Sequence, residues 1–518
     1  MPSNYFEKLL SPENKTNDYF ITLQISKNKT LKIYPASINR YEKHIFFIAV
    51  SGTSKNLYIV SPENETPFTT FQSEYVECDL NGDSIILAEC PMNHKNALAI
   101  NELFEFTRPV LIGTANSFGF GDRLGIANPG QLRALSGKNI KPILAQQSIR
   151  ELERTARQPE DVMDTAVWAA FQEGYRDGFG ADADHLKTTD DIDVMIRAGF
   201  TMFTFDPGDH VVNDVETFSR EELEKKAASL SWDELDDTFE NFMKRYENIR
   251  ITVTADFSLA PRKEDILRGI VKYGNVIIHT VRMYRYLKKN YPAHPQEIEL
   301  SVDETDSPTS PFEHFLIANE LKRLGIRLVS LAPRFIGEFE KGIDYKGDLD
   351  KFREEYIKHL AISQLLGPYK ISLHSGSDKF SVYEVIGKLG GGNFHVKTAG
   401  TSYLIALQTI ASVDSVLFRE ILQFSRDHYD TEKASYHVSA DVNNVPLPDT
   451  LSDSQLPGLF TQDDAREVMH VTFGKVLTVK TDGGAYLFRD RILQCLSEHE
   501  ELHYELLTLH FERHIENF

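Results

Sequence analysis

Cysteine is nearly absent: Cys78, Cys90 and Cys495 are the only three in 518 residues. They lie far apart and match neither a zinc ribbon nor a C-x-x-C pair. A disulfide scaffold is therefore excluded, and reduced thiols in a cytoplasmic protein are expected. No run approaches the roughly 20 apolar residues that a bilayer span requires. The first residues, Met1-Pro-Ser-Asn-Tyr-Phe-Glu-Lys8, have no basic start and no apolar core of a secretory leader. Asn14-Lys-Thr, Asn28-Lys-Thr and Asn64-Glu-Thr are accordingly read as chance, not as glycan acceptors. Positive charge is also short, with 56 Lys and Arg against 77 Asp and Glu and a net charge of −21. That balance excludes a nucleic-acid backbone as partner. It leaves room for a small anion in a locally positive cleft. The chain carries no dinucleotide fingerprint, no Walker A loop, no internal repeat and no low-complexity block.

What is present is a pattern repeated about eight times between Phe106 and Phe380. A short apolar run of strand type ends abruptly in polar residues, and a helical stretch follows. The runs start at Val110, Pro142, Ala181, Phe203, Ile251, Ile298, Leu328 and Ile371. Alternating strands and helices imply a parallel sheet. Eight units predict a closed (β/α)8 TIM-like barrel with its chemistry at the carboxyl ends of the strands. The barrel is expected over residues 105–425. A β-rich accessory module is expected over 1–104, from segments such as Tyr19-Phe-Ile-Thr-Leu-Gln-Ile and Ile45-Phe-Phe-Ile-Ala-Val. A loop and helical extension is expected over 426–518, packed on the barrel. Helices are predicted from Asp161 to Asp177, from Ser219 onward, and from Pro311 to Leu324 with Gly325 as the stop.

Strand ends supply the candidate chemistry. A divalent metal in a barrel mouth needs three or four nitrogen or oxygen ligands from different strands. Glu304 and His374 each follow an apolar run directly and are the preferred ligands; His185, His210 and His395 compete for the third place. Asp184-His185-Leu-Lys187 and Asp206-Pro-Gly-Asp209-His210 each pack acids and bases together, as proton transfer requires. Asp184, Asp206 and Lys187 are the candidate catalytic groups. Gln146, Arg150, Asp303, Asp378, Lys379, His395 and Lys397 are candidate substrate-binding residues. Gly390 to Ser402 reads as a glycine loop before a helix near Thr401, whose N-terminus beside Lys397 suits an anion. His499-Glu-Glu-Leu-His503 matches the H-E-x-x-H zinc motif, but no third ligand can fold back from the same terminal helix. A docking helix with Leu502, Leu506, Leu507 and Leu509 on its apolar face is the preferred reading.

These strand-end motifs carry a resemblance. Ser117-Phe-Gly-Phe-Gly-Asp-Arg-Leu-Gly-Ile-Ala, Ala145-Gln-Gln-Ser-Ile-Arg-Glu, Gly178-Phe-Gly-Ala-Asp-Ala-Asp-His-Leu-Lys and Phe205-Asp-Pro-Gly-Asp-His-Val resemble the tagaturonate epimerase family. So do Ser301-Val-Asp-Glu-Thr-Asp, Leu373-His-Ser-Gly-Ser-Asp-Lys-Phe and His395-Val-Lys-Thr-Ala-Gly-Thr-Ser-Tyr. The resemblance implies an isomerase that interconverts D-tagaturonate and D-fructuronate with a divalent metal; imidazole and carboxylate ligands together suit zinc, manganese, nickel or cobalt. The two sugar acids differ at a hydroxyl-bearing carbon β to the ketone, which simple enolisation does not acidify. Retro-aldol cleavage and re-addition is then the expected route, with transient oxidation disfavoured by the missing dinucleotide fingerprint. The alternatives are another metal-dependent sugar or sugar-acid isomerase or aldolase on the same barrel, or a non-catalytic sugar-acid-binding protein. The expected partner is a small-molecule sugar acid, with no nucleic acid and no membrane, and a homo-oligomer left open.

Overall fold

The computed structural model describes residues 19–26, 29–62, 68–80, 83–390 and 392–518. The leader reading at Met1–Lys8 and the asparagines Asn14, Asn28 and Asn64 lie outside the described residues. Cys90 and Cys495 are buried free thiols.

The first module is antiparallel. Its strands are β1 (Ile21–Ser26), β2 (Lys29–Ile33), β3 (Asn39–Tyr41), β4 (His44–Ser51), β5 (Ser54–Pro62), β6 (Glu74–Leu80) and β7 (Asp83–Pro91). They run in the order β1-β2-β4-β5-β7-β6, with β3 beside β4. Period-2 alternation splits the sheet into two apolar faces. Leu31, Ile45, Phe47 and Leu87 form one core. Phe46, Ile48, Leu57 and Ile59 join the core of the next unit.

That unit is a closed parallel barrel of β8 (Ser117–Phe120), β9 (Lys141–Ser148), β10 (Gly180–Leu186) and β11 (Met202–Phe205), followed after a short ribbon by four more strands. The ribbon, β12 (Ile251–Thr252) with β13 (Ser258–Leu259), pairs only with itself. The barrel continues through β14 (Glu297–Val302), β15 (Ser330–Pro333), β16 (Lys370–Leu373) and β17 (Phe394–Thr398), which closes on β8. Chain neighbours are barrel neighbours throughout, the connectivity of a (β/α)8 fold.

Two of the expected strands are corrected. The run at Val110 lies beneath the barrel: Val110 and Leu111 are 42% and 49% exposed, and Gly113 N–H donates to the Glu297 carboxylate at the strand bottom. The strand itself starts later, at Ser117. The run at Ile251 is the surface ribbon. The missing strand is β17, expected as part of a glycine loop; its alternate His395 and Lys397 face the lumen, so its apolar run is broken.

The helices start where the chemistry predicts. Ser219 and Ser310 each close a capping box on the helices Arg220–Ala228 and Pro311–Arg323. The helix expected from Asp161 runs Pro159–Gln172. Beyond the barrel, the helices Thr401–Val413, Ser415–Glu432, Asp463–Val471, Phe473–Thr478 and Arg489–Glu498 share a separate core around Leu404, Phe418, Met469 and Phe473. The expected limits at 104 and 425 fall just after the helix His94–Leu103 and inside Ser415–Glu432. The last helix, Glu500–Ile515, docks through Tyr504, Leu507, Phe511 and Ile515, whereas Leu509 is 51% exposed. Glu500 of the H-E-x-x-H match bonds Tyr34 and Lys55 of the first module. Among the described residues no helix is long and apolar enough to cross a membrane.

Candidate active site

The barrel lumen is polar, whereas TIM-like barrels ordinarily fill it with branched aliphatic layers. Alternate positions on each strand point inward. Glycine at 119 makes room: a Cβ there would lie 1.5 Å from Gln146 Oε1. Near the floor, buried Lys370 Nζ donates to Ser117 Oγ at 3.1 Å, and Ser117 Oγ lies 2.9 Å from His395 Nδ1. Burial lowers His395 well below the usual histidine range, so it stays neutral.

One layer higher, Lys397 Nζ sits 2.7 Å from each of Asp182 Oδ2, Asp184 Oδ1 and Glu299 Oε1. Thr204 Oγ1 accepts from the same ammonium at 2.7 Å. Burial opposes the charge on Lys397, but the three carboxylates hold its pKa well above the ordinary lysine value. Burial likewise works to raise Asp184, and Lys397 with His185 and His374 overcomes it, keeping Asp184 ionised. Asp182, dominated by burial, is raised.

At the mouth, His185, Asp303 and His374 bring ligand atoms within 4.8 Å of one another. Each histidine is oriented by a buried carboxylate behind it. His374 Nε2 donates to Glu299 Oε1 at 2.7 Å, leaving Nδ1 3.3 Å from Asp303 Oδ1. His185 Nδ1 donates to Asp206 Oδ2 at 3.2 Å, leaving Nε2 toward Asp184. His185 stands at a register shift between β10 and β11, with φ of 51°. Such a left-handed non-glycine residue at a bulge marks a re-aimed side chain. Burial disfavours a charged His185, yet Asp184 and Asp206 raise its pKa to about 10. The arrangement fits a divalent metal: a two-nitrogen, one-oxygen set, each imidazole backed by a carboxylate.

The other expected residues are dispersed. Glu304 is at the rim, 45% exposed in its side chain and 3.8 Å from Arg150. It stands outside the close trio, and the neighbouring Asp303 takes its place in that geometry. His210 stacks on His279 with ring centres 4.3 Å apart, away from the mouth. Lys187 is held by Asp209 at 3.1 Å, with the Asp206 and Glu304 carboxylates also acting on its charge. Asp378 bonds Arg466 at 2.9 Å and His510 at 3.2 Å, and its N–H donates to His514. Although Asp378, His510 and His514 come close enough to hold a metal, the Arg466 guanidinium already supplies the positive charge. The cluster fastens the last helix to the barrel. Lys379 Nζ donates to the carbonyls of Glu340, Ile343 and Ser377 and is likewise a fastener. The helix start at Thr401 is covered: a Cβ on Gly400 would lie 1.8 Å from His470 Nε2, and Thr401 Oγ1 meets His510 Nε2 at 2.6 Å. The expected anion site there is filled by the extension itself.

An open cavity of about 510 Å³ rises from the trio, lined by Arg150, Asp303, Glu304, Lys341, His374 and Tyr436 among others. A narrower continuation reaches Gln146, Asp184, His185 and Lys397. The extension forms one wall. Tyr436 lies against Arg150 and Arg154. Its strand of chain is secured by Ser439 Oγ to Glu340 at 2.8 Å and by Ala440 N–H to Glu467 at 2.8 Å. Burial, with the neighbouring Glu340, pushes the Glu467 carboxyl up to about 8. Sequence reasoning missed Asp182, Glu299 and Lys370, whose signal was a charged residue inside an apolar run. It missed Lys341, Tyr436 and His470 for want of any local signal.

Comparison with known proteins yields a consistent set of relatives. A family model described as tagaturonate epimerase matches residues 34–518. A Thermotoga maritima protein named tagaturonate/fructuronate epimerase is 41% identical over 490 residues, covering 94% of this chain and 96% of its own. Crystal structures of a fructuronate-tagaturonate epimerase from Cohnella laeviribosi, native and with glycerol, superpose with a TM-score of 0.86. Their identity is 36%, over 94% of this chain and 96% of theirs.

Proposed function

The chain belongs to the tagaturonate epimerase family, and on that premise we propose that it interconverts D-tagaturonate and D-fructuronate by metal-dependent retro-aldol and aldol chemistry, acting on the free sugar acid in the cytoplasm. The observation that carries this reading is the pairing of a carboxylate-backed His185, Asp303, His374 trio with an ionised Asp184 facing the same cavity.

A divalent cation held by His185, Asp303 and His374 would act as a Lewis acid on the ketone end of the substrate. Asp184 accepts the proton of the hydroxyl on the carbon to be inverted. The bond between that carbon and its α neighbour breaks, giving an aldehyde, and the electron pair passes toward the ketone oxygen. Turning the aldehyde presents its other face. Re-addition reforms the bond, and Asp184 returns the proton to the new alkoxide, so atoms and charge balance. Lys397 keeps Asp184 ionised between turnovers, a pKa-setting role that burial alone would reverse. Gln146, which lines the lower cavity beside Asp184, is our candidate for a substrate hydroxyl partner.

The test is turnover of D-tagaturonate followed by chromatography. Chelation should abolish it, and added manganese, nickel, cobalt or zinc should restore it. A labelled three-carbon aldehyde acid added during turnover should enter product. Label that never enters product would remove the aldol route, and activity indifferent to chelation would remove the metal.

A further inference from the structure

Four arginines and lysines at the mouth and lower cavity are already matched to carboxylates. Arg123 bonds Glu151 at 3.2 Å, Arg334 meets Glu338 at 3.4 Å, Arg150 faces Glu304 at 3.8 Å, and Lys397 has three partners. Lys341 is different. Like Arg150 it lines both parts of the cavity, so the difference lies in its pairing. Among the described residues no carboxylate is within 4.0 Å of its ammonium, which donates to Ser375 Oγ at 2.6 Å. Ser375 follows His374 and has φ of 52°, a left-handed turn that sets the hydroxyl beside the trio. Because Ser375 Oγ accepts from Lys341, its own proton is free to donate. The remaining ammonium protons and that hydroxyl proton form two adjacent donors of the kind that engage both oxygens of a carboxylate.

We propose that Lys341 with Ser375 is the docking point for the substrate's carboxylate. This inference rests on the sugar-acid reading above and assigns a specificity role to a residue outside the strand-end set. Lys341 sits on the loop after β15, and Ser375 is one residue from a proposed metal ligand. Lys341 and Ser375 line the same cavity as Asp303 and His374, so the proposed anchor and the trio face one bound sugar acid. A neutral ketohexose, with a hydroxymethyl group in place of the carboxylate, would gain nothing from this anchor.

The experiment compares the full-length, metal-loaded parent with Lys341→Met, Lys341→Arg and Ser375→Ala. Losing a charge-assisted contact should raise KM for the ketouronate about 10–100-fold in Lys341→Met, with kcat changed less. Lys341→Arg should recover part of the loss, and Ser375→Ala should cost about 3–10-fold. Turnover of, or inhibition by, the neutral ketohexose should be the same in parent and Lys341→Met. An unchanged KM for the ketouronate would overturn the anchor, as would an equal loss for acid and ketohexose. If the parent turns over no ketouronate with any metal, the epimerase reading fails by itself. The anchor is then decided by calorimetric binding of D-galacturonate: weaker binding to Lys341→Met than to the parent supports it, and equal or absent binding overturns it.

Discussion

Replacing Lys397 with methionine removes the ammonium that Asp182, Asp184 and Glu299 share. The side chain is 4% exposed, and Asp182 and Glu299 are fully buried beside it. Methionine has a similar volume, so packing is nearly conserved and the perturbation is electrostatic. Deleting one partner of a buried ion pair costs about 3–5 kcal/mol, because the other charge is left unpaired. For a chain of this length, an unfolding entropy of about 2.1 cal/mol/K per residue converts that into a Tm drop of about 3–5 °C. Scanning calorimetry at pH 7.5 measures it. A second arm tests the cause: Asp182→Asn removes one of the stranded charges while keeping the shape. Lys397→Met/Asp182→Asn should therefore be more stable than Lys397→Met alone, a coupling that independent sites do not show. A Lys397→Met Tm within about 1 °C of the parent, or strictly additive losses in the double variant, would refute the reasoning.

Three further outcomes are expected. Asp303→Asn should lose bound metal by elemental analysis, whereas Glu304→Ala, altered at the half-exposed rim, should retain it. Gly400→Ala should cost about 1–3 kcal/mol by calorimetry and lower kcat, because the added methyl would meet the His470 ring at 1.8 Å and that ring lines the lower cavity. Glu467→Gln tests the raised carboxyl: between the ordinary glutamate value of 4.5 and about 8, the folded protein holds a proton that the unfolded chain has released. Folding stability from this group therefore falls as pH rises through that window. The variant's Tm relative to the parent should accordingly be higher at pH 8 than at pH 5.

Six barrel strands were legible because apolar residues flank any single polar residue in their runs, as at Phe203-Thr-Phe, Ile298-Glu-Leu and Ile371-Ser-Leu. β8 and β17 were not, since Gly119, His395 and Lys397 interrupt the hydrophobic run for the sake of the lumen. The apolar Val110 run misled because it serves the barrel floor. His185, Asp303 and His374 were named from strand ends, as was Asp184. Glu304 and Asp303 are adjacent: strand direction sets which of the two lies beside His185 and His374, and the end of β14 did not show that it is Asp303. Lys187, His210, Asp378 and Lys379 looked functional because charged loop residues look alike until their partners are known. Their partners, Asp209, His279, Arg466 and backbone carbonyls, come from other parts of the fold. Lys341 and Tyr436 were invisible for the same reason.

The seam between β8 and β17 joins residues 278 positions apart, as the Ser117–His395 contact shows. Lys397 stands on the closing strand, and its partner Asp184 is 213 positions earlier. Contacts so distant in sequence form late, after most loop entropy has been lost. The expected outcome is that this charged layer closes late in refolding, so that in stopped-flow experiments recovery of activity lags behind recovery of helix content.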